Sequence, residues 1–145
     1  MIYVGIDPGA SGGMAWISPS GVQAIPFRDK DGIYDFWEML NEDQRQTRIV
    51  IEQVHAMPAQ GVSSTFTFGQ NFGWWLGHLD AWGRHYDMVP PQRWQKALNC
   101  MTGGDKNISK GMAIKICGQH VGRHIRVTHT IADAICIAEY ARRTA

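Results

Sequence analysis

Long apolar runs, paired cysteines, internal repeats and a surplus of one charge are all missing from this chain, and each absence narrows what it can be. No stretch approaches the roughly 20 consecutive apolar residues a helix needs to cross a bilayer. The cysteines Cys100, Cys117 and Cys136 are odd in number and lack CxxC spacing, so they read as reduced, mostly buried thiols of a cytosolic protein. Met1 leads straight into a strand-like run, with neither a basic leader nor a small-residue cleavage site, and secretion is not expected. A formal net charge of +1 argues against a tail that coats nucleic acid indiscriminately, while leaving room for a localised basic patch. With 145 residues, 44% of them hydrophobic, and no low-complexity segment, the expectation is one compact domain over residues 1–145.

What is present begins with residues 1–13, MIYVGIDPGASGG. Ile2, Tyr3, Val4 and Ile6 form a β-prone run closed by Pro8, Gly9 and Gly12, which leaves Asp7 at the end of a buried strand. Burying an ionised acid costs several kcal/mol unless a charge partner or metal accompanies it. Asp-Pro-Gly is also ordinary turn chemistry, and strand-Asp-x-Gly opens the phosphate loop of actin- and sugar-kinase-type ATPases, so this stretch alone leaves three readings open.

The rest of the chain predicts strands at 14–17 and 22–27, a helix at 33–40, a strand at 48–52 and a loop at 53–65. Helices are expected at about 66–85, 92–98, 107–119 and 130–141, with a short strand at 86–89. The strand RIVIE again ends in a carboxylate, Glu52. In the long helix Gly69, Gly73, Gly77 and Ala81 recur every fourth position; packing of that strip against the sheet is the favoured reading and a dimer contact the alternative. A third acid, Asp133, stands in the apolar helix TIADAICIAEYA, with His129 four positions earlier and Thr130 three.

Asp7, Glu52 and Asp133 thus arrive from two strand ends and one helix. If the two strands are parallel neighbours their acids stand side by side and repel one another unless cations neutralise them. Hard oxygen ligands suit Mg²⁺ or Mn²⁺, and two such ions can activate water and stabilise the leaving oxygen of a phosphodiester. The alternative is three unrelated acids, each satisfied by hydrogen bonds. Between positions 92 and 126 the charges are Arg93, Lys96, Lys106, Lys110, Lys115, Arg123 and Arg126 against the single acid Asp105, which points to an anionic partner.

In their order, GIDPGASGG, RIVIE, FGQNFGWWLG, VPPQRWQKAL, DKNISKGMA and HTIADAICIAEY make nearly the whole chain resemble RuvC-type Holliday junction resolvases of the RNase H-like superfamily, in their compact phage and bacterial form. The resemblance implies an α/β fold with a mixed five-stranded sheet and helices on both faces. It implies a homodimer in the cytoplasm of a bacterial or phage-infected cell, with no nucleotide cofactor and no membrane. By it Asp7 and Glu52 bind metal, about two Mg²⁺ or Mn²⁺ ions per site, and Asp133 completes the set. The family's fourth acid or histidine falls at His129, as a metal ligand or as a base for the attacking water. DNA contacts fall to Arg93, Lys96, Lys106, Lys110, Arg123 and Arg126 on phosphates, and to Met57, Phe66 and Phe68 against unpaired bases. The implied reaction is paired hydrolysis across a four-way junction. A fork or flap nuclease would use the same residues, and a catalytically silent junction binder is a further alternative. An ATPase of the kinase type needs two lobes, where this length supplies one.

Overall fold

The computed structural model describes residues 1–43, 45–55, 59–122 and 125–145. A meander of β1 (Ile2–Asp7), β2 (Gly13–Ser18) and β3 (Gly21–Pro26) leads through helix α1 (Lys30–Asp43) to β4 (Thr47–Glu52). Helix α2 (Val62–Ala81) and the short β5 (Asp87–Val89) follow, and then helices α3 (Pro91–Ala97), α4 (Lys106–Gln119) and α5 (His129–Arg143). The sheet has five strands in the order β3-β2-β1-β4-β5. It is antiparallel from β3 to β1 and parallel from β1 to β5.

Alternation along the strands sends side chains to two cores. Ile2, Val4, Ile6, Ile49 and Ile51 meet Ile33, Trp37 and Leu40 of α1 and Trp75 and Leu79 of α2. Ala15, Ile17 and Val50 meet the other layer, where Trp94 of α3, Ala113 and Ile116 of α4, and Ile135 and Ala138 of α5 are buried. Helices therefore cover both faces, as expected. Cys100 and Cys136 are buried and Cys117 half-buried, all as free thiols. Among the described residues no helix is long and apolar enough to cross a membrane.

One close approach decides where α5 lies. A Cβ on Gly5 would collide with the backbone of Ala134 and Ala138, so only glycine lets α5 rest directly on the middle of β1. Asp133 is thereby held beside the strand that ends in Asp7.

Helix α2 departs from expectation twice. It starts earlier, at Val62, and it stops at Ala81 because Gly83 takes a left-handed conformation (φ +64°). Gly83 N–H donates to the Asp80 carbonyl and Arg84 N–H to that of Leu79, a Schellman closure. Its small-residue strip is not packed on the sheet. A Cβ on Gly69, Gly73 or Gly77 would meet nothing within 4 Å, and the buried face carries Trp75, His78 and Leu79. Bulky side chains bury far more apolar area than glycines do, and that area orients the helix. In α4 the N-cap is Asp105, whose carboxylate accepts the Asn107 N–H at 2.9 Å, and Asn107 is inside the helix.

Candidate active site

The parallel pairing of β1 with β4 runs to Ile6 opposite Ile51, so the next residues, Asp7 and Glu52, end the two strands side by side, each still paired on its outer side, with Gly13 and Val89. Asp7 is fixed by a hydrogen bond from Gly9 N–H to its Oδ1 at 3.1 Å. The turn after β1 folds over that carboxylate so closely that a Cβ on Gly12 would lie 2.8 Å from the Asp7 Cγ. Glu52 is oriented by a buried indole, with Trp94 Nε1–H donating to its Oε2 at 2.7 Å.

The electrostatics of the pair are unfavourable. Burial, and then the charge of Asp133, push the Asp7 carboxyl up to about 6, against weaker opposing effects of the Gly9 N–H and Lys106. Burial, and then the charge of Asp7, push Glu52 up to about 8; the Trp94 bond lowers it and Asp133 adds to the rise. Asp7 and Glu52 thus both feel the charge of Asp133, and Glu52 also that of Asp7, while Lys106 acts in the opposite sense on Asp7.

Asp7 and Asp133 line a cleft of about 310 Å³ with Lys106, Ser109, His129 and Phe68. Glu52 opens into an adjoining cleft of about 220 Å³ whose walls include His55, Pro91, Gln92 and, again, Phe68. His129, at the first turn of α5, is exposed and lines the cleft of Asp7 and Asp133, whereas Thr130 lines a separate cleft with Arg28. Lys110 is half-buried one turn beyond Lys106 and lines neither cleft. Arg93 and Lys96 are exposed on α3, Arg126 is exposed ahead of α5, and Phe66 is 67% exposed near the start of α2. Met57 and Arg123 lie outside the described residues.

Sequence reasoning missed Trp94 and Ser109 as parts of the site. The only signal for Trp94 was general: a buried indole needs an acceptor for its N–H, and Glu52 is that acceptor. Ser109 donates its hydroxyl to the Lys106 carbonyl at 3.2 Å and sits at the floor of the cleft.

Among the described residues no group of three or more His, Cys, Asp or Glu side chains is placed to hold a metal ion, so the expected four-residue set of Asp7, Glu52, His129 and Asp133 is not drawn together. The donors are hard oxygens, unneutralised and open to an approaching ligand. Mg²⁺ suits such an arrangement, being held in nucleotide- and phosphate-handling sites by one or two carboxylates, with water and phosphate oxygens filling the remaining positions. Mn²⁺ accepts the same oxygen donors and imidazole nitrogen besides. Asp7 and Asp133, which share one cleft, fit such an ion as a pair of carboxylates, with Glu52 in the adjoining cleft.

Neither a family model nor a curated protein matches the sequence. Solved structures do. A T. thermophilus RuvC in complex with a Holliday junction substrate aligns over 100% of this chain and 97% of its own, at TM-score 0.64 and 17% identity. A second Thermus thermophilus RuvC structure aligns over 99% and 97%, at TM-score 0.60 and 21% identity. The fold is that of RuvC. The mixed sheet, with its meander, parallel half and helices on both faces, is the RNase H-like α/β architecture of RuvC. At these identities the likeness to RuvC is one of architecture, and the chemistry rests on the strand-end carboxylates.

Proposed function

We propose that this protein is a divalent-metal-dependent endonuclease that resolves four-way DNA junctions by hydrolysing phosphodiesters. The observation that carries the reading is that Asp7 and Glu52 end neighbouring parallel strands and are both raised, by burial first, with Asp133 of α5 near enough to add to the rise of each. That RuvC, the structural neighbour, is seen bound to a Holliday junction supports branched DNA as the partner.

In this reading Asp7, Glu52 and Asp133 would hold Mg²⁺ or Mn²⁺, with His129 either a further ligand or the base for the attacking water. The bound ions supply an acidified water and stabilisation of the leaving oxygen. The protein's own residues do the rest. Gly9 N–H and Trp94 Nε1–H hold Asp7 and Glu52 in fixed orientations, so little reorganisation accompanies substrate binding. Lys106 supplies positive charge at the mouth of the cleft, beside the path of the phosphate backbone. Phe68, standing between the two clefts, offers a face for an unstacked base. Lys110, Arg93, Lys96 and Arg126 serve as outer phosphate contacts.

We place the active unit as a homodimer, so that two sites nick the junction symmetrically. The open small-residue face of α2 supports this, since two helices can approach closely along Gly69, Gly73 and Gly77.

The test is incubation with a four-way junction, a linear duplex and a single strand, with and without Mn²⁺. Paired nicks in the junction alone, only with the ion, are expected. Equal cutting of forks or flaps would make it a general branched-DNA nuclease, and binding without cutting would make it a junction-binding module.

A further inference from the structure

The turn between β3 and α1, Phe27, Arg28 and Asp29, runs into Lys30 at the start of the helix, and all but one of these four residues have an internal role. Phe27 is packed against Trp74 and Trp75 at ring distances of 5.2 and 5.6 Å. Its N–H donates to the Gly12 carbonyl at 2.9 Å, which ties this turn to the loop over Asp7. Asp29 caps α1 by accepting the Gly32 N–H at 3.0 Å. Lys30 folds back, its Nζ 3.2 Å above the Phe27 ring and bonded to the Phe27 carbonyl. Arg28 alone has no hydrogen bond or ion pair among the described residues and is exposed. Its neighbours hold its backbone rigid and leave its guanidinium unpaired.

That guanidinium lines a cleft of about 130 Å³ together with Ser11 and Thr130, neither of whose hydroxyls has a partner among the described residues. Residues 10–12 form one wall of this cleft and, from their other side, one wall of the cleft holding Asp7 and Asp133. A DNA strand crossing the acids would therefore reach Arg28 on passing over that loop. A guanidinium presents a planar fork of donors that matches two phosphate oxygens, and hydroxyls are common additional donors to DNA phosphates.

We propose that Arg28, with Ser11 and Thr130, forms a phosphate subsite that grips a neighbouring phosphodiester of the strand being cut and so sets which linkage lies over the carboxylates. The inference rests on the nuclease reading above and assigns Arg28 as a positioning residue.

The experiment is single-turnover cleavage of a four-way junction by the parent, Arg28→Ala and Arg28→Lys, using junctions with one neutral methylphosphonate walked along the strand on either side of the cut. Because Arg28 is exposed and unpaired, both variants should melt like the parent. Arg28→Ala should lower kcat/KM by about ten- to hundredfold, the range for a charge-assisted bond, with Arg28→Lys between it and the parent. One methylphosphonate position should slow the parent by a similar factor and Arg28→Ala no further, because the interaction is already lost. Parent-like cleavage by Arg28→Ala, or penalties that simply add at every position, overturns the subsite and leaves the nuclease reading intact. A parent that cuts no junction overturns that reading, and the subsite falls with it.

Discussion

Two glutamates, Glu139 buried and Glu52 half-buried, stand at opposite ends of this fold, and the chain treats them in opposite ways. Glu139, near the end of α5, is 1% exposed and fully answered. Arg142 bonds it through Nε at 2.8 Å and Nη2 at 2.7 Å, Arg143 adds a bond at 2.8 Å, and His120 lies 3.4 Å away. Burial pushes its carboxyl up, but the bonds and charges of the two arginines outweigh it and hold the group at about 2. Glu52 receives one indole bond, faces Asp7, and is driven up to about 8. A sequence that surrounds one glutamate with arginines does not lack the means to neutralise another. The difference marks the Glu139 end as architecture, and on the proposed reading the strand ends are where a cation would be supplied from outside.

The largest effect should come from the strand-end acids. Asp7→Asn, Glu52→Gln and Asp133→Asn should each lower junction cleavage a thousandfold or more, a loss of about 4 kcal/mol of transition-state stabilisation, while gel-shift binding persists. Near-parental cleavage by any of them would remove that residue from the site. At the other end the signature should be stability. Glu139→Ala should lower the unfolding free energy by about 2 kcal/mol, below the range for a fully buried pair because Arg142 and Arg143 are 41% and 45% exposed. Since the folded carboxyl is depressed, this stability is present above about pH 4.5 and is lost as pH falls toward 2, so parent and variant should converge in acid. An unchanged acid limb in urea titrations would contradict that assignment. The smallest effect sharpens the comparison at Glu52 itself. Trp94→Phe keeps the packing and removes the sole indole bond, and should slow single-turnover cleavage by about tenfold, the worth of one hydrogen bond to a charged group. Parental rates would show that the bond does not position the carboxylate.

Much of this was legible in the sequence, because it follows from local pattern. A β-prone run closed by Pro and Gly places an acid at its end whatever the fold, and Asp7 and Glu52 both do this. The spacing from Asp133 back to His129 is one helical turn, which is why His129 shares the acids' cleft and Thr130 does not. What remained hidden depends on partners distant in sequence. Trp94 meets Glu52 across 42 positions, and Gly5 is needed only because α5 returns to lie on β1. The glycine strip of α2 was misplaced because periodicity identifies a face without saying what it meets. Arg28 drew no notice beside the basic run from 92 to 126, and only the cleft singles it out.

The central claim is that the strand-end carboxylates are left unpaired to receive a divalent cation, and thermal unfolding of the parent and Glu52→Gln from pH 6 to 9, with and without Mn²⁺, tests it most directly. Glu52 has its folded value raised from 4.5 to about 8, so the folded state prefers it protonated, and the parent loses stability as pH rises through that range. Without the ion, Glu52→Gln should become the more stable protein as pH rises toward 8, the gap levelling off above it. With Mn²⁺ the parent should gain stability in proportion to binding and the gap should close or invert, because the variant lacks a ligand. Equal melting of the two proteins at every pH, or an identical response of both to Mn²⁺, would contradict it.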